Sequence, residues 1–209
     1  MELVDQLINN KILKSPSIVV AFKKIQRKDF VLPIGQNMAN LDNPQQIGFG
    51  QTISQPSTVA FMLELCQPKE GEVVLDVGSG SGWTVALLAQ IIGPTGRAYG
   101  IERINELKEF GEQNAEKYGL VSSGQATFVC GDGSKGLPEF APYDIIHVGA
   151  AAGAIPEPLL KQLRIGGRLI IPVGVDEHEL VLVRRISEKE YQEQRFPGFV
   201  FVPLIENRK

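Results

Sequence analysis

Cysteine is scarce in this 209-residue chain: Cys66 and Cys130 are the only two. They lie far apart, form no CxxC pair and match no zinc spacing, so a disulfide scaffold and a structural zinc module are both excluded. Long apolar runs are missing too. None approaches the ~20 residues that a membrane helix needs. The start, Met1-Glu2-Leu3-Val4-Asp5-Gln6, is acidic and lacks a signal-peptide pattern. Net charge is −3 and the pI about 5.5, so no strongly basic nucleic-acid surface is indicated. Repeats, low-complexity tracts and long linkers are absent. These absences predict a reduced, cytoplasmic, non-membrane protein with no nucleic-acid partner.

What is present fits a globular fold, with 43% hydrophobic and 22% charged residues. The length predicts a single domain, with residues 1–56 as N-terminal helices and a loop, 57–175 as a core, and 176–209 as C-terminal strands. Helical spacing joins Leu3, Leu7 and Ile8, and Ser15-Pro16 reads as a cap with a first-turn proline before Val19, Val20, Phe22 and Ile25. Residues 31–56 read as a long irregular, functional loop. A helix is predicted over 57–67. From residue 72 strands and helices alternate: strands at 72–77, 97–101, 126–130 and 143–148, helices at 83–92, 105–118 and 156–163. That alternation predicts an α/β fold with a mostly parallel sheet and helices on both faces. Segments 167–173, 179–186 and 199–205 are strand-like with no room for helices between them, which predicts an antiparallel C-terminal edge.

Glycine is the surplus residue, 22 of 209, against an average near 7%. The strand at 72–77 runs into Asp76-Val77-Gly78-Ser79-Gly80-Ser81-Gly82 and then a helix. Such a turn lets a ligand approach the backbone, and free N–H groups at the helix start favour electronegative atoms. Glu102 ends the next strand, about 20 residues on, where an acid holds ribose hydroxyls. Trp83 stands where a GxGxxG fingerprint needs its third glycine, which counts against NAD, and no GxxxxGK[ST] run exists. Cys130-Gly131-Asp132-Gly133 ends the third strand and could meet an adenine amino group; taken alone it reads as a local Asp-Gly turn.

Asp76-x-Gly78-x-Gly80-x-Gly82 with Glu102 resembles the Rossmann-like class I S-adenosylmethionine-dependent methyltransferases. Ile47-Gly48-Phe49-Gly50-Gln51-Thr52-Ile53-Ser54-Gln55-Pro56 is more discriminating. With 141–152 (Ala-Pro-Tyr-Asp-Ile-Ile-His-Val-Gly-Ala-Ala-Ala), 166–174 and Phe201-Val202-Pro203-Leu204 it makes the chain similar to the protein-L-isoaspartate (D-aspartate) O-methyltransferases over nearly its whole length. That resemblance implies a seven-stranded mixed sheet and a monomer. It implies methyl transfer from S-adenosylmethionine, with S-adenosylhomocysteine left and no metal, to isoaspartyl carboxylates of damaged proteins and peptides. A methyltransferase of the same fold acting on a small molecule, RNA or a particular peptide is the alternative, since fold does not fix the acceptor.

The resemblance also implies roles for residues. Ser54 orients the substrate carboxylate, and Asp76 acts electrostatically beside the sulfonium rather than as a base. Thr52, Ile53, Ser54, Asp76, Gly78, Ser79, Gly80, Glu102, Arg103, Gly131 and Asp132 contact the cofactor. His178 stands where family members often carry glutamine, and joins that set. Without the resemblance, Ser54 reads as a cap for the helix near Pro56. His147 reads as a satisfied core histidine and Trp83 as helix packing. Lys23, Lys24, Arg27 and Lys28 read as a solvated basic face. An extended peptide is expected along 31–56 and the C-terminal strand edge.

Overall fold

The computed structural model describes residues 3–205. Two helices, α1 (Leu3–Asn9) and α2 (Pro16–Lys24), open the chain, followed by 3-10 turns at Arg27–Phe30 and Pro33–Met38. A hairpin of β1 (Gln45–Gly48) and β2 (Gln51–Ile53) precedes α3 (Pro56–Cys66). Alternation then begins: β3 (Val73–Val77), α4 (Trp83–Ile92), β4 (Arg97–Glu102), α5 (Asn105–Glu116), β5 (Ala126–Cys130), β6 (Tyr143–Val148) and α6 (Glu157–Gln162). The chain continues with β7 (Leu163–Gly174), β8 (His178–Arg185) and β9 (Tyr191–Phe199).

Seven strands form one sheet in the order β5-β4-β3-β6-β7-β8-β9. The first five run parallel, while β8 is antiparallel to both β7 and β9. Alternating side chains give the sheet a core on each face. Val74, Ile145 and Ile170 face the cluster that holds α1 to α5, with Val59, Leu63, Leu87, Leu88 and Leu107. Leu75, Val77, Ile146, Val148 and Ile171 face the other way, toward Leu159 of α6. Every residue of β6 is buried, as a central parallel strand covered on both faces requires. Order reverses between β3 and β6, the switch point at whose C-terminal ends α/β sheets open a crevice.

Three expectations need correction. The 31–56 segment is not irregular throughout, since it contains the hairpin; a three- to four-residue strand rich in Gln and Gly leaves no readable period. Ser15 sits at the α2 N-cap without capping it, because its hydroxyl donates to Glu64 at 2.7 Å instead. The last strand is Tyr191–Phe199, not 199–205. It hangs on β8 through a tight turn in which Ile186 N–H donates to Glu190. As a solvent-facing edge it carries charges (Glu193, Arg195) instead of an apolar alternation. Residues 200–205 are apolar for a different reason: they double back over the sheet, with Ala151 N–H donating to Val202 O at 2.8 Å and Leu204 N–H to Ala151 O at 2.7 Å.

Candidate functional site

The glycine loop leaves the C-terminal end of β3 and enters α4. The N–H groups expected to be free are those at the start of α4; the loop's own N–H groups ahead of it are tied within the protein. Gly78 and Ser79 N–H both donate to Ile101 O, and Gly80 N–H donates to Glu102 Oε2 at 3.1 Å. The loop is thus held to β4 by the acid meant for the ligand. Glu102 is buried and also accepts from Ile104 N–H through Oε1 at 3.0 Å. Each carboxylate oxygen keeps a further lone pair, so Glu102 is oriented and still able to accept from hydroxyls. Gly82 comes against Gly111 of α5 so closely that a Cβ there would lie 2.6 Å from Gly111 O. Asn114 fastens the same contact by donating to Ser81 O.

Three adjoining hollows open along the crevice. The first, about 540 Å3, lies between Gly78, Gly80 and Glu102 on one side and Val202 to Leu204 on the other. The second, about 370 Å3, lies under the loop against Ser54, Asp76, Ser79, Trp83 and His147. The third, about 660 Å3, is an outer groove bordered by Pro44, Ser54, Thr58 and Phe201. Thr52 and Gly149 line all three, and Ser54 lines the second and third.

Of the residues singled out by sequence, Thr52, Ile53, Ser54, Asp76, Gly78, Ser79, Gly80, Glu102 and Arg103 border these hollows. Gly131 and Asp132 do not, although Gly133 beside them lines the first. Asp132 caps its own 3-10 turn, accepting from Ser134 N–H and Oγ, and pairs with Lys135 at 3.7 Å. His178 is buried away from the hollows. Its Nδ1 accepts from Phe201 N–H at 3.0 Å and so pins the returning 200–205 segment that walls them. Ser54 does not cap α3: Gln55 holds the N-cap position, and the Ser54 hydroxyl has no hydrogen-bond partner among the described residues.

Two other side chains depart from expectation. His147 is not a satisfied core histidine. Its Nδ1 lies 2.6 Å from Asp76 Oδ1, but its buried Nε2 has no partner. Parallel register sets Asp76 directly beside His147, and it brings Gly149 next to Gly78. Trp83 packs edge-on against Phe22 at 5.4 Å, as helix packing predicts, but it also lines the second hollow. Within the basic cluster, Lys23, Lys24 and Lys28 are exposed whereas Arg27 is buried, with its guanidinium over the Trp83 ring. Burial draws the Arg27 pKa down to about 10 against the opposing pull of Asp42, which leaves it charged at neutral pH. Gly149 and the 200–205 wall were missed as site residues. Gly149 follows the strand across the switch point, the one signal that pointed to it.

Comparison with known proteins places the chain in a family. Residues 1–209 match the family described as protein-L-isoaspartate(D-aspartate) O-methyltransferase. A protein-L-isoaspartate O-methyltransferase of Aeropyrum pernix is 44% identical over 206 residues, covering 98% of this chain and 78% of its own. That of Thermococcus onnurineus is 45% identical over 204 residues, covering 97% and 91%. A Plasmodium falciparum structure in complex with S-adenosyl-L-homocysteine, described as a candidate protein-L-isoaspartate O-methyltransferase, superposes with a TM-score of 0.88 at 26% identity. It covers 98% of this chain and 97% of its own. A Thermotoga maritima O-methyltransferase at 20% identity and TM-score 0.54 shares the fold.

Proposed function

The chain belongs to the protein-L-isoaspartate (D-aspartate) O-methyltransferase family, and from that premise we propose how its crevice works. The enzyme moves a methyl group from S-adenosylmethionine to the α-carboxylate of isoaspartyl residues in damaged proteins and peptides. The ester then closes to a succinimide, which hydrolyses in part to normal aspartate. The first hollow fits the nucleoside end of the cofactor: Glu102 offers acceptor capacity for ribose hydroxyls, and Ile101 and Leu204 offer apolar walls. When bound, the cofactor supplies an electrophilic methyl carbon on a sulfonium.

The chain's own residues have modest work to do. An α-carboxyl group has a pKa near ~3.5 and is an anion at pH 7, so no base has to create the nucleophile. Ser54 Oγ donates to that carboxylate and aims it. Asp76, held by His147, places a carboxylate beside the positive sulfur. Val202 to Leu204 and Thr52 close the crevice against water, which strengthens attraction between unlike charges. An extended peptide enters by the outer groove, whose lining includes the exposed Val200. The cytoplasm is the proposed site of action, a reading supported by two unpaired cysteines.

The observation that carries this reading is the place of Ser54, unpartnered where the cofactor-side hollow meets the outer groove. The test is transfer of labelled methyl to an isoaspartyl peptide, with the matching aspartyl peptide as control. We expect transfer to the first alone, and a kcat about 10- to 100-fold lower in Ser54→Ala with cofactor affinity kept. Equal transfer to both peptides, or none to either, would refute the assignment.

A further inference from the structure

Arg27 is 4% exposed and has no carboxylate within ion-pair distance among the described residues. Its hydrogen bonds go to main-chain carbonyls instead. Nη1 donates to Ala39 O at 2.9 Å and Leu41 O at 3.4 Å; Nη2 donates to Asn43 O at 2.9 Å and Ser54 O at 3.2 Å. A buried charge costs solvation, and here no ion pair offsets it. The guanidinium is braced against the Trp83 ring, 5.5 Å from its centroid, and that ring lines the hollow under the glycine loop.

The Ser54 contact is the one that bears on chemistry. Residue 54 lies in the two-residue gap between the end of β2 and the start of α3. The β1–β2 ladder ends at Ile53, and the α3 N–H groups that reach back, from Thr58 and Val59, stop at Gln55 O. Secondary structure therefore leaves the Ser54 carbonyl untied, and Arg27 ties it to the 39–43 loop. A planar fork can bridge four carbonyls on two segments; an ammonium cannot.

We propose that Arg27 is a positioning residue for methyl transfer, holding the Ser54 main chain so that its hydroxyl faces the cleft. This rests on the assignment of Ser54 above. Misplacing a reacting group by about 1 Å can cost on the order of 100-fold in rate. Loss of the clamp should thus act on kcat and leave the Glu102 side of the cleft intact.

The test uses Arg27→Lys, Arg27→Gln and, as a loop-loosening reference, Gln45→Leu, which removes an uncharged tie from Gln45 Nε2 to Met38 O without touching Arg27 or Ser54. Each is assayed well below its Tm with folded fraction measured. For both Arg27 variants kcat should fall about tenfold or more, with S-adenosylhomocysteine Kd within about threefold of wild type. Gln45→Leu should keep kcat within about threefold. Hydrogen exchange should quicken about tenfold or more at 51–57 in the Arg27 variants and stay unchanged at 78–82. Unchanged kcat per folded molecule, a parallel loss of S-adenosylhomocysteine affinity, or an equal loss in Gln45→Leu would overturn the proposal. A wild-type enzyme inactive on isoaspartyl peptide would refute the proposed function instead; the exchange at 51–57 then decides Arg27 by itself, unaltered exchange overturning its role. Arg27→Lys keeps the charge and serves where Arg27→Gln does not fold.

Discussion

Gly82→Ala should be among the most damaging single-methyl additions in this fold. Gly82 has φ +85, a left-handed conformation that costs an L-residue ~1–2 kcal/mol. A Cβ there would also meet Gly111 O at 2.6 Å, Gly111 Cα at 2.9 Å and Gly111 C at 3.0 Å. All three are backbone, so no rotamer change relieves them, and overpacking of this kind costs ~1–3 kcal/mol. Alanine's stiffer unfolded chain returns ~0.4–1 kcal/mol. The net is roughly 3 kcal/mol, or about 6–12 °C in Tm for a chain this size. Two companions separate the contributions. Gly124 has φ +73 but open space around its Cβ, so Gly124→Ala should cost only about 1 kcal/mol. Gly111 lies in α5 without positive φ, and its Cβ would meet Gly80 O at 2.9 Å. Helix propensity returns ~1 kcal/mol there, for a net of ~0–2. Urea denaturation gives the three values, and S-adenosylhomocysteine titration should show weaker binding for Gly82→Ala than for Gly124→Ala. If Gly82→Ala costs no more than Gly124→Ala, the close loop–α5 approach is not what the glycine serves.

Glu102→Gln keeps one acceptor oxygen where two N–H groups, Gly80 and Ile104, now find two. Cofactor affinity should fall about 10- to 100-fold by calorimetry, with kcat at saturating cofactor nearly unchanged. Arg168 makes a two-pronged ion pair with Glu72, both at 2.9 Å and almost buried. Arg168→Gln strands Glu72 and should cost ~3–5 kcal/mol in urea denaturation, while kcat well below Tm stays at the wild-type value. Cys66 is fully buried, and burial pushes its thiol up to about 12. In the unfolded chain the thiol ionises near ~8.5, so above that pH the unfolded state binds fewer protons than the native state. The stability it contributes is whole below ~8.5 and is lost as pH rises toward about 12, by up to ~1.4 kcal/mol per pH unit. Stability of wild type and Cys66→Ala measured between pH 8 and 10 should show the steeper fall in wild type; parallel curves would refute the burial argument.

Much of the parallel sheet was legible because its signals are local. Strands β3, β5 and β6 are short apolar runs, and α4 begins and stops at glycines, so their bounds needed no knowledge of distant contacts. β9 was not legible for the opposite reason. An edge strand facing water has no pattern of its own, and its pairing is dictated by β8. The apolar residues at 200–205 drew the strand assignment by composition, yet they stay partly exposed and line the crevice instead of entering the sheet. Short strands β1 and β2 gave too few residues for a period.

The site divides along the same line. Asp76, Gly78 and Glu102 could be placed because strand–loop–helix order dictates them. Arg27 could not. Lys23, Lys24 and Arg27 share a helical face only while the helix lasts, and α2 stops at Lys24. Ile25 is extended at φ −91, ψ 95, which turns the chain inward and takes Arg27 off that face into the core. His147 is similar: alternation along β6 says only that it points to one side. That the side holds Asp76 follows from β6 lying next to β3, a pairing of residues 71 apart. The consequence is chemical. Asp76 spends Oδ1 on His147, which fixes the orientation of its carboxyl group beside the second hollow. The proposed reaction needs no proton removed from an already ionised carboxylate, and on that proposal an oriented Asp76 and a Ser54 with a free hydroxyl and a carbonyl held by Arg27 serve orientation-limited chemistry.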